Sequence, residues 1–135
     1  MTPEERQEII DTEHLRLLSL FHYISGALTI AFSCFFIIHL LFMLGMSFAI
    51  PAGKHGAEAF PFAIFAGVFG LIILMGIALG ILEIFSGRSI ARRQARTISM
   101  VIAAPGVLMM PFGTILSVMT WIVLSRNSVR AQYNE

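Results

Sequence analysis

Glu83, His22 and His39 are the only residues of the types that ionise near neutral pH within three apolar stretches, residues 17–50, 60–85 and 98–124. Imidazoles and a carboxylic acid in such surroundings can relay protons, hold an ion or pair with one another, because an unpaired charge in hydrocarbon is costly. At 100° per residue, Ser19, His22, Ser25, Gly26, Thr29 and Ser33 share one face of the first stretch. That stripe suits a seam against a neighbouring helix, where small and hydroxylated side chains permit close approach, or else a polar path for ions or protons. Glu83 falls on the same face as Gly76 and Gly80 of the second stretch, so it points at protein. Its expected partner is His22, Arg88 or Arg16.

Other combinations offer less chemistry. His39 lies about 100° around the helix from the His22 stripe, so the two cannot share one metal within a single helix, and His39 reads as a hydrogen-bonded packing residue. Cys34, Met43, Met46, Met109, Met110 and Met119 carry soft sulfur of the kind that suits Cu(I). Eight methionines in so apolar a chain are better explained by packing, and no metal site is expected. The single cysteine excludes an intrachain disulfide. GxSxG, a Walker glycine loop and HExxH are all missing from the sequence. With so few convergent polar groups, neither an enzyme nor a cofactor is expected.

The elements that must position these residues follow from composition. Of 135 residues, 57% are hydrophobic and 13% charged, against about 45–50% and 25% in an average soluble domain. A water-soluble core is excluded. About 20 apolar residues cross a bilayer as a helix, so each stretch is long enough, and one membrane domain is expected. Residues 1–16 form an acidic amphipathic lead-in holding five of the eight acids. Thr2, Pro3 and Glu5 there read as a helix start. No basic n-region or small-residue cleavage site precedes the first apolar helix, which is expected to remain in the mature protein.

Residues 17–50 form the first span; as one helix these 34 residues measure roughly 51 Å, so the excess must tilt, kink or protrude. A turn-rich connector at 51–56 leads to a second span at 60–86, closed by Gly87. Residues 88–110 hold a basic segment and a third span, 112–126 a fourth, and 127–135 a tail. The breaks at Pro105-Gly106 and Met110-Pro111-Phe112-Gly113 fit either one kinked span or a hairpin of two short helices. Charge separates the alternatives, since Lys and Arg favour the cytoplasmic side. Four spans with both ends inside leave eight basic residues in the cytoplasm and only Lys54 outside, whereas three spans split them six to three. The expected fold is therefore an all-α, polytopic transmembrane bundle of four helices, the last two forming a short Pro/Gly hairpin, with both termini cytoplasmic.

Arg88, Arg92, Arg93 and Arg96 read as topology determinants touching anionic lipid headgroups rather than nucleic acid, which is not expected as a partner. Trp121, near Arg126, fits the inner boundary of the membrane. Packing is expected through Gly26, through Gly76 and Gly80 in GxxxG spacing, through Gly67 with Ala63 and Gly70 on a second thin side, and through Gly113, Ser117 and Thr120.

His14-Leu-Arg-Leu-Leu-Ser-Leu-Phe-His-Tyr23, Met110-Pro-Phe-Gly-Thr114 and Val123-Leu-Ser-Arg-Asn-Ser-Val-Arg130 together resemble a group of small bacterial four-span membrane proteins of unknown function. Asn127, where that group has Pro before the Ser-Val pair, and Ser117, where it has Gly, depart from the pattern. The resemblance implies a four-helix layout in a bacterial inner (cytoplasmic) membrane and lends no activity. Two functions are expected from the residues. One is a structural or accessory subunit, embedded in membrane lipids, that forms a homo-oligomer or joins a larger membrane complex. The other is a small oligomeric ion or proton channel or transporter, using the stripe of Ser25, Thr29 and Ser33 with His22 and Glu83.

Overall fold

Thr2 and Glu5 close a reciprocal capping box: the Thr2 amide donates to Glu5 Oε2 at 2.7 Å and the Glu5 amide to Thr2 Oγ1 at 3.2 Å. From this cap α1 (Pro3–Ala49) runs unbroken for 47 residues, so the acidic lead-in and the first apolar stretch are one helix. Then follow α2 (Ala59–Ala91), α3 (Arg96–Ala103), a 3-10 turn (Ala104–Leu108), α4 (Phe112–Ser125) and α5 (Asn127–Arg130). This computed structural model describes residues 1–49, 59–108 and 111–133, and among them it is all helix with no strand. The expected connector at 51–56 with Lys54, and Met109 and Met110, lie outside the described residues.

Two of the helices, α1 and α2, are long and apolar enough to cross a membrane. Only 6% of the most apolar window of each is buried, the reverse of a core helix in a soluble protein. The chain divides into two compact units, Leu28–Gly80 on one hand and Met1–Ala27 with Ile81–Glu135 on the other.

Within Leu28–Gly80, α1 and α2 pair antiparallel. Phe36 meets Phe69 edge-on at 5.8 Å between ring centroids, and Phe69 stacks on Phe65 at 4.5 Å. Farther along, Gly76 lies so close to Ser33 that an added Cβ would collide with its hydroxyl, which itself donates to the Thr29 carbonyl. The Gly76 side of the GxxxG pair is thus taken up inside the chain. Gly67 and Gly70 meet nothing within 4 Å.

The second unit corrects the expected end of span two. Gly87 does not close α2, which continues to Ala91. Its end is a Schellman motif: the Gln94 amide bonds the Ser89 carbonyl and the Arg93 amide the Ile90 carbonyl, both at 3.0 Å. Arg93 occupies the left-handed position normally given to glycine, at φ 54°, and Ala95, just before α3, does so again at φ 51°. Two non-glycine residues in that region cost on the order of 1–2 kcal/mol each.

α3 and its 3-10 extension run antiparallel to α4, tied by four side-chain-to-carbonyl hydrogen bonds at one per turn. Arg96 Nε donates to the Leu124 carbonyl, Trp121 Nε1 to Met100 at 3.0 Å, Ser117 Oγ to Ala103 at 2.6 Å and Thr114 Oγ1 to Val107 at 2.8 Å. Pro105 explains the second rung. Having no N–H, it leaves the Val101 carbonyl without its helical donor; the Ala104 amide turns to that carbonyl, and the indole of Trp121 supplies Met100 instead. Trp121 is therefore a strut between helices as well as a half-exposed ring.

Gly106 is required at the third rung, because a Cβ there would stand 2.5 Å from Ser117 Oγ and 3.4 Å from the Gly113 carbonyl oxygen. The Ser117 hydroxyl is held in place by the Ala103 and Gly113 carbonyls. Gly106→Ala should lower stability in detergent by about 1–3 kcal/mol through overpacking, and Ser117→Gly by about 1 kcal/mol through its lost hydrogen bond. Combined, the two should cost less than their sum, since the second removes the obstacle that the first strikes. Simple additivity in thermal unfolding of the double variant would contradict this packing.

Leu15 and Leu18 of α1 pack with Ile90 of α2, Val123 and Leu124 of α4, and Val129 and Tyr133 beyond it. The blocks 14–23 and 123–130 supply five of these seven residues. Two segments more than a hundred positions apart thus form one core.

Candidate functional site

Where α1 passes α2 in the second unit, the backbones approach closely because Gly87 has no side chain. A Cβ there would fall 3.0 Å from the Ser19 carbonyl oxygen and 3.1 Å from His22 Cβ. Ser19 uses the gap to donate its hydroxyl to the Gly87 carbonyl at 2.8 Å. His22 is buried beside this contact, 1% exposed, with ring Nδ1 3.0 Å from the Leu18 carbonyl one turn back. That bond requires the proton on Nδ1, so in the neutral ring Nε2 is the acceptor.

One turn on, Ser25 is the hydrogen-bond partner of the Glu83 carboxyl. Glu83 Oε2 is buried with no hydrogen-bond partner. The expected pairing with His22, Arg88 or Arg16 is not formed: among the described residues Glu83 has no ion pair. A hydroxyl has taken the place of a cation, because Ser25 lies on the helix face that meets α2 while Arg88 is exposed. Gly26 and Gly80 are buried, Gly113 is half-buried, and Gly67 is exposed.

The rest of the stripe belongs to the other unit, where Ser33 bonds the Thr29 carbonyl of its own helix. His39, expected to pack through a hydrogen bond, is exposed on α1, as is Cys34. Among the described residues no three His, Cys, Asp or Glu side chains converge on one point.

The four arginines divide into two pairs. Arg88 and Arg92 are exposed, as headgroup contacts would require. Arg93 donates to Thr12 Oγ1 at 3.2 Å, and Arg96 caps the carbonyl end of α4 through Nε, where a cation also suits the helix dipole.

Sequence reasoning missed a second polar cluster. Asp11 is fully buried, accepting from Gln7 Nε2 at 3.0 Å and from Arg126 Nη1 at 3.4 Å, while the same Arg126 nitrogen lies 3.4 Å from His14 Nδ1. An acid inside an acidic run reads as a solvated face. The available signal was the apolar spacing of Leu15 and Leu18 one and two turns later, which continues the buried side of α1 through position 11.

No protein-family model matches the chain, and comparison with curated proteins and with solved structures gives no match either.

Proposed function

We infer that the chain is a four-span protein of a bacterial inner membrane, with both termini in the cytoplasm and α3 and α4 as a short third and fourth span. Its role is structural or accessory, in a homo-oligomer or as a subunit of a larger membrane complex, without catalysis and without nucleic acid. One observation carries this reading: the hydroxyls of Ser19, Ser33, Ser117 and Thr120 and the ring of His22 all bond backbone carbonyls of their own chain. Between residues 28 and 80 the exposed surface includes large apolar side chains such as Phe32, Phe35, Leu71 and Leu74, suited to lipid and to other subunits. Extraction from native membranes in a mild detergent is expected to give an oligomer or a stoichiometric partner by native mass. Monomers with nothing bound would count against the role.

A proton- or ion-conducting role is the alternative, favoured by the buried Glu83 Oε2, unpartnered among the described residues, on the carboxyl that Ser25 meets. Liposomes holding the purified protein decide between the two. The accessory role expects no flux above empty vesicles and no effect of Glu83→Gln on flux. A proton flux that Glu83→Gln abolishes would establish the alternative.

A further inference from the structure

We propose that the groove between α3 and α4 binds one anionic phospholipid, its acyl chain lying along Thr97, Met100, Val101, Ala104 and Trp121 and its phosphate held by Arg96. The inference rests on the membrane reading above. The groove has a volume of about 240 Å³, and apart from the Thr97 hydroxyl its side chains are apolar. Thr97, Met100, Val101 and Ala104 recur at helical spacing, so the groove follows the length of α3. The bond from Trp121 to the Met100 carbonyl holds the indole as one wall.

One rung nearer the basic turn stands Arg96. Its Nε is engaged by the Leu124 carbonyl, which holds the guanidinium one helical turn before Met100, and among the described residues its Nη donors have no hydrogen-bond partner. That planar fork matches a phosphate in two parallel hydrogen bonds, and exposed Arg92 adds positive potential at the same turn. An apolar groove that begins at Thr97, next in sequence to the arginine, is complementary to a molecule that is apolar along its length and anionic at its head. A neighbouring helix would satisfy the channel and leave the cation unanswered.

Trp121 is the only tryptophan, so its fluorescence reports on the groove directly. The full chain is reconstituted in phosphatidylcholine whose acyl chains are brominated and quench indole on contact, and unbrominated phosphatidylglycerol is titrated in. Recovery of fluorescence should saturate, with half-recovery at about tenfold lower mole fraction than for unbrominated phosphatidylcholine. Arg96→Gln should erase that preference and Arg96→Lys retain part of it. Ala104→Phe, at an exposed position, should fill the groove and remove the saturable recovery while leaving insertion intact. Recovery that follows bulk mole fraction equally for both lipids would overturn the site. So would an indole untouched by bromine in vesicles that retain the protein through a carbonate wash, since protein would then be covering the groove. A chain stripped from the vesicles by carbonate would overturn the membrane reading itself.

Discussion

Gly87→Val should be the most damaging single substitution, lowering stability by about 3 kcal/mol, at the upper end of ordinary overpacking. An added Cβ meets the Ser19 backbone carbonyl at 3.0 Å, and backbone cannot rotate away as a side-chain hydroxyl can. Two opposing contributions make the test specific. Valine and alanine both gain helix propensity over glycine, alanine by about 1 kcal/mol, so on propensity alone the helix should be strengthened. Gly87→Ala should nevertheless destabilise, and Gly87→Val more so. Ser19→Ala removes only the hydroxyl bond to the Gly87 carbonyl and should cost about 1 kcal/mol. Thermal unfolding in a mild detergent, followed by helical circular dichroism, gives all three. A stabilised Gly87→Ala would show that α1 and α2 do not touch there.

The second large effect is asymmetric. Arg126→Ala should cost about 3 kcal/mol, because it strands the fully buried Asp11 carboxylate with only Gln7 as partner. Asp11→Ala should cost about 1–2 kcal/mol, since Arg126, 38% exposed, can be resolvated once its partner is gone. Adding Asp11→Ala to Arg126→Ala should therefore restore part of the loss. A double variant less stable than Arg126→Ala alone would mean that Asp11 contributes something other than charge pairing.

The long elements were legible because hydropathy and period report on solvent: α1 and α2 follow from unbroken apolar runs, and the shared face of Ser19, His22 and Ser33 follows from 100° per residue. What escaped depends on partners far along the chain. Gly87 follows an apolar run, as a helix terminator does, and only the neighbour across from it shows that its missing side chain serves close approach. Arg93 holds the left-handed position at the end of α2, a place where composition points to glycine. Trp121 looked like an interfacial anchor because its indole has a polar edge; its partner, a carbonyl freed by Pro105, becomes visible only when α3 and α4 lie side by side. The pairing of Glu83 escaped for the same reason, as attraction between opposite charges was weighed without knowing that the Ser25 hydroxyl faces the carboxyl.

The union of residues 14–23 with 123–130 has a consequence for biosynthesis. Asp11 leaves the ribosome 115 residues ahead of Arg126, an interval of about 6–23 s at ordinary elongation rates. Throughout that wait the carboxylate lacks Arg126 and is best left in water, so the helix bearing it should stay undocked until the final helix is made. Closure of this core becomes a proofreading step: a nascent chain whose final helix is misplaced leaves Asp11, Leu15 and Leu18 uncovered, and one that has assembled correctly buries all three.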